Sequence, residues 1–66
     1  MNKIGKYGDN FMVYAYNVNG QVYMWEAYGM NHLDDCYVMA RELNFLCEKM
    51  DYLENKYAHR KASLAC

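Results

Sequence analysis

The side chains able to do chemistry are few and scattered along this chain. His32 and Cys36 stand four residues apart with Asp35 beside them, a one-turn spacing that suits two ligands of a zinc site. Zinc takes three or four ligands, and no CxxC or HxxxH pair supplies the rest. A polar helix start beside a small buried thiol explains the same residues without a metal. His59 and Cys66 pair a base with a nucleophile, but on a fraying end with no shell to hold the geometry that catalysis requires. Asp34 and Asp35 are neighbouring carboxylates that point about 100° apart on a helix and do not converge on one substrate. Glycine-rich phosphate loops, nucleophile elbows and haem-attachment motifs are all missing from the sequence. The expectation is a non-enzymatic protein without catalytic residues, metal or cofactor.

The residues that look most functional are Tyr14, Tyr16, Tyr23 and Trp25. They flank Asn19-Gly20, the preferred pair for a two-residue type I′ turn, because both turn positions need positive φ. A hairpin over 10–28 follows, in which the turn sets Tyr16 opposite Tyr23 and Tyr14 opposite Trp25. Alternation then puts Phe11, Val13, Ala15, Val22, Met24 and Tyr28 on an aliphatic face that a helix can cover. The Tyr/Trp face is left over. Tyrosine and tryptophan tolerate partial exposure and are enriched at protein interfaces, so these four are the expected partner-binding residues. Stacking of single-stranded nucleic acid on the same rings is the competing reading. It is disfavoured because residues 7–40 contain no Lys or Arg to track a phosphate backbone.

The element that must support the hairpin is a long amphipathic helix, with its body over 34–62 and its limits at 31–63. Cys36, Met39, Leu43, Leu46, Met50, Leu53 and Tyr57 alternate at spacings of three and four. Asn31 serves as its N-cap, Asp34 and Asp35 suit the positive end of the dipole, and His59, Arg60 and Lys61 the negative end. Such a helix spans roughly 43 Å against roughly 30 Å for the hairpin, so Leu53, Tyr57 and Leu64 overhang. Val38, Phe45 and Tyr52 recur every seven residues on the opposite side. Val38, Phe45, Tyr52, Leu53 and Tyr57 are therefore the expected oligomer interface.

Sixty-six residues make one domain, 1–66, too small to be stable without a staple. Three cysteines exclude a fully disulfide-bonded scaffold, and Cys36 and Cys47 lie too far apart on one helix to bond. Reduced thiols and a cytoplasmic setting follow. Residues 1–9, with two glycines and two lysines, read as a flexible arm that Ile4 and Tyr7 could anchor as a short third strand. The N-terminal stretch lacks the apolar core of a signal peptide, and no run is long enough to span a membrane. The sequence thus predicts an α+β fold in ββα order: an antiparallel hairpin packed on one long C-terminal helix, assembled as a homodimer. Its expected role is that of an inhibitor or adaptor, of the kind phages and mobile elements encode, binding a larger protein through the aromatic surface.

Overall fold

The computed structural model describes residues 2–65, with side chains from 2 to 58. Four antiparallel strands form one sheet in the order β1-β2-β3-β4, followed by a single helix. The strands are β1 (Asn2–Tyr7), β2 (Phe11–Val18), β3 (Gln21–Gly29) and β4 (Tyr37–Ala40), and the helix is α1 (Leu43–Ala65). This corrects the expected ββα hairpin and helix. Residues 2–7 form a full paired strand, the third-strand alternative to a flexible arm, and 37–40 are a fourth strand rather than the start of the helix.

The β2–β3 turn is as the sequence requires, with Asn19 at φ 53° and Gly20 at φ 81°. Val18 pairs with Gln21 and Asn17 with Val22, and then the register shifts. Tyr16 pairs with Met24, Ala15 with Trp25, Tyr14 with Glu26 and Val13 with Ala27, so Tyr23 is the extra residue of a bulge. The expected Tyr16–Tyr23 and Tyr14–Trp25 pairs are thereby displaced by one. The physical reason lies further along β3. Unshifted pairing would set Glu26 opposite Val13, under the helix, where a carboxylate has no partner. The bulge turns Trp25 and Ala27 inward and Glu26 outward.

The region expected to begin the helix folds back instead. A 3₁₀ turn at Asn31–Leu33 follows β3, and Leu33 is buried completely. Asn31 is not a helix cap. It adopts φ 58° and its Nδ2 donates to the Asp9 carbonyl at 3.0 Å and to Asn10 Oδ1 at 3.2 Å. The Met30 N–H donates to the Asn10 carbonyl at 2.7 Å, so the turn is tied to the β1–β2 connection. Asp34 and Asp35 precede β4 and lie outside the helix. β4 then pairs back on β3, Val38 with Ala27 and Met39 with Glu26.

The core lies between the sheet and α1. Phe11, Val13, Ala27, Leu33, Val38, Leu46 and Met50 are buried there, with Trp25, Cys47, Leu53 and Tyr57 packed against them. From Leu46 onward the predicted stripe holds, because Leu46, Met50, Leu53 and Tyr57 all face the core. The helix has 23 residues, roughly 34 Å. Leu53 and Tyr57 are covered within the chain, while Leu64 lies outside the described side chains, as do Arg60 and Lys61. At the end of the sheet that carries the 3₁₀ turn, Tyr7 Oη donates to Asp51 Oδ1 at 2.9 Å and Asn10 Nδ2 to Glu54 Oε2 at 3.3 Å.

Gly29 makes the fold-back sterically feasible. A Cβ at this position would lie 1.7 Å from the Leu33 carbonyl oxygen and 2.7 Å from its carbon. Both are backbone atoms held by the turn, and the Cys36 N–H already donates to that oxygen at 2.9 Å. Gly29→Ala must therefore push the turn off the sheet. We expect a loss on the order of 1–3 kcal/mol in urea unfolding, the range for overpacking, and wild-type stability in this variant would refute the close approach.

Candidate aromatic interface

The helix covers one face of the sheet and leaves the other open. Pairing fixes which residues share the open face: Lys3 with Tyr14, Lys6 with Met12, Tyr16 with Met24, Tyr14 with Glu26, Met12 with Tyr28, Tyr28 with Tyr37, and Glu26 with Met39. Tyr16, Tyr28, Tyr37 and Met39 are exposed, between 39% and 49%. Tyr14, Met12 and Met24 are half-buried by their neighbours.

At the centre of this face sits a carboxylate. Glu26 is only 8% exposed although no other element covers it, because the surrounding rings do. Tyr28 Oη donates to Glu26 Oε2 at 2.8 Å. The Tyr28 ring meets Tyr14 edge-on at 5.4 Å between centroids and leans on Tyr37 at 5.0 Å. The hydrogen bond to Glu26, with burial and the carboxylate's charge, pushes the Tyr28 hydroxyl up to about 12. Tyr37 is raised for the same reasons, first among them hydrogen bonding to Glu26. A buried carboxylate held by phenol donors has its hydrogen-bonding demand met. It supplies a fixed acceptor in the middle of a surface made mostly of tyrosine and methionine.

A second cluster adjoins the first at the bulge. Tyr16 and Tyr23 meet at 6.4 Å. The Arg41 guanidinium lies 5.1 Å from the Tyr23 ring centroid and its Nη2 donates to Tyr23 Oη at 3.3 Å. The connection between β4 and α1 thus reaches back across β3 to fix this ring.

Of the expected partner-binding residues, Tyr14 and Tyr16 share the open face and Tyr23 touches Tyr16. Trp25 is on the opposite side, packed against the core. Tyr28, expected on the aliphatic face, belongs to the open face, as do Tyr37 and Met39, which fall within the expected helix. The alternation Tyr37-Val38-Met39-Ala40, read with period two, is the signal that assigns Tyr37 and Met39, whereas the bulge in β3 assigns Tyr28. Of the expected oligomer-interface residues, Val38, Leu53 and Tyr57 contribute to the core or pack on it. Phe45 is 55% exposed and Tyr52 62%.

The remaining candidates for chemistry stay apart. His32 is exposed on the 3₁₀ turn, and the Cys36 thiol is pushed up by burial and by Asp35, whose Oδ1 lies 3.8 Å from its sulfur. No group of three or more His, Cys, Asp or Glu side chains converges among the described residues. Cys36 and Cys47 are free thiols. The side chains of His59 and Cys66 lie outside the described residues. No described helix is long and apolar enough to cross a membrane. The chain matches no known protein family, no curated protein and no solved structure.

The phenol bonds predict an alkaline transition. Hydrogen bonding to Asp51 pushes Tyr7 up to about 12, as Glu26 does Tyr28. A tyrosine whose folded value exceeds its unfolded value of 10.0 stabilises the fold fully below pH 10. That stabilisation drains away as pH rises toward about 12. Spectrophotometric titration should show three of the eight tyrosines, Tyr7, Tyr28 and Tyr37, ionising late, with stability falling over the same window. All eight ionising together near 10 would contradict both hydrogen bonds.

Proposed function

We propose that this chain is a small protein-interaction module that docks a larger partner protein on the open face of its sheet. The observation that carries the reading is a cluster of tyrosines and methionines, half exposed, around one fixed carboxylate. Tyrosine and methionine are enriched where proteins meet, and a shielded polar group at the centre supplies orientation. The rings are held against one another before any partner arrives, which lowers the ordering cost of binding. With its central carboxylate committed to phenol donors, the module works by occupying a surface, as an inhibitor or an adaptor. The unbridged Cys36 and Cys47 support a reducing compartment such as the cytoplasm.

A second reading has one specific observation behind it. Lys3 and Lys6 lie on the same face as Tyr14 and Met12, so β1 brings to the aromatic surface positive charge that the middle of the chain lacks. Single-stranded nucleic acid could stack there. Against it stands Glu26, whose negative charge sits where the strand would cross. The rings are also packed edge-on rather than splayed for stacking.

A tagged pull-down from the source cell, with and without nuclease, separates the two. Wild type is compared with Tyr14→Ser/Tyr16→Ser, which alters β2 far from the helix. We expect one protein to co-purify, to survive nuclease and to be lost in the variant. Bound material that vanishes with nuclease, and whose affinity falls steeply with salt, would replace this reading with the nucleic-acid one.

A further inference from the structure

The two edges of the sheet are unlike. β1 carries Lys3 and Lys6 and a register shift between Lys3 and Gly5, the usual devices that stop an edge from pairing with another chain. β4 reads Tyr-Val-Met-Ala, with neither charge nor bulge. Its free backbone groups can be assigned. The Gly29 N–H donates to the Cys36 carbonyl at 3.0 Å, and hydrogen-bonded pairs alternate along an antiparallel ladder. Val38 therefore bonds inward to Ala27, while Tyr37 and Met39 turn their N–H and C=O groups outward.

Beside this edge runs an open groove of about 380 Å³, lined by Tyr37, Val38, Met39, Lys49, Tyr52 and Leu53. Three consecutive strand residues line one groove only when the strand's edge forms a wall, since their side chains alternate between faces. Val38 and Leu53 make an apolar floor. Lys49 is exposed on the rim, and its helical neighbours three and four residues away are Phe45, Leu46, Tyr52 and Leu53, none of them acidic. The groove thus combines unpaired backbone, an apolar floor and one positive charge without a carboxylate.

We propose that this groove takes an extended acidic–apolar segment of a partner protein as a fifth strand next to β4. The main chain of the segment pairs with Tyr37 and Met39, an aliphatic side chain rests on Val38 and Leu53, and a carboxylate two residues along meets Lys49. A second copy of this chain fits less well, because self-pairing brings two Lys49 side chains together with no carboxylate in the groove. The site goes beyond the open-face reading and fails independently of it, since Lys49 is on the helix side.

The probe is the blocked peptide Thr-Val-Thr-Glu-Thr-Val-Thr, whose two valines and glutamate share one face of a strand. Added to the full chain, it should shift the amide resonances of Tyr37 and Met39 and slow their hydrogen exchange. Replacing its glutamate by lysine should weaken binding at least about tenfold, and Lys49→Glu should reverse the preference. The proposal is overturned if the two amides do not respond at millimolar peptide, or if both peptides bind alike. It is also overturned if the free chain already protects those amides while its mass grows with concentration, because a second copy then occupies the edge.

Discussion

The fold depends on a close approach between Gly29 and the Leu33 carbonyl, which leaves no space for a side chain. At that point the chain leaves β3, makes one 3₁₀ turn and returns as β4. The turn buries Leu33 against the helix layer and bonds through Met30 and Asn31 to the connection between β1 and β2. Three separate parts of the chain are thereby tied at one end of the sheet. A side chain at Gly29 would disturb the turn and with it β4, which supplies Val38 to the core, Tyr37 and Met39 to the open face, and the free edge of the groove.

A second constraint divides the two faces. The hairpin has more apolar residues than one helix can cover, and the bulge at Tyr23 decides which of them are covered. Trp25 and Ala27 go under α1, whereas Glu26 joins the tyrosines. Burying a carboxylate among rings is costly unless donors meet it, and the Tyr28 hydroxyl does so at 2.8 Å. The same contacts that satisfy Glu26 hold Tyr14, Tyr28 and Tyr37 in a fixed arrangement. Stability and the fixed arrangement of the aromatic face therefore share one set of interactions.

The sequence was legible where local geometry decides and misleading where two periodicities overlap. Asn19-Gly20 names its turn because few pairs tolerate positive φ twice in succession. Leu46, Met50, Leu53 and Tyr57 name the inward face of the helix. Cys36 and Met39 extend that three-and-four spacing by coincidence, since Cys36, just before β4, packs on the core whereas Met39 lies on the open face. Tyr37, Val38, Met39 and Ala40 fit a strand equally well, and the choice is made by Gly29 and Leu33, a tertiary contact that no periodicity shows. Trp25 was misplaced for a related reason. Turn chemistry fixes the register only as far as the first irregularity, and the bulge is set by where Glu26 can be satisfied.

The central claim is that residues 37–40 form a strand paired with β3. Adjacent non-hydrogen-bonded pairs in an antiparallel ladder bring their α-protons into close contact. A nuclear Overhauser spectrum in deuterium oxide should therefore show cross-peaks between the α-protons of Glu26 and Met39, and of Tyr28 and Tyr37. Their presence would fix β4, the open aromatic face and the free edge together. Medium-range contacts of a continuous helix through 36–42, with neither cross-strand peak, would contradict the account and return this stretch to the helix.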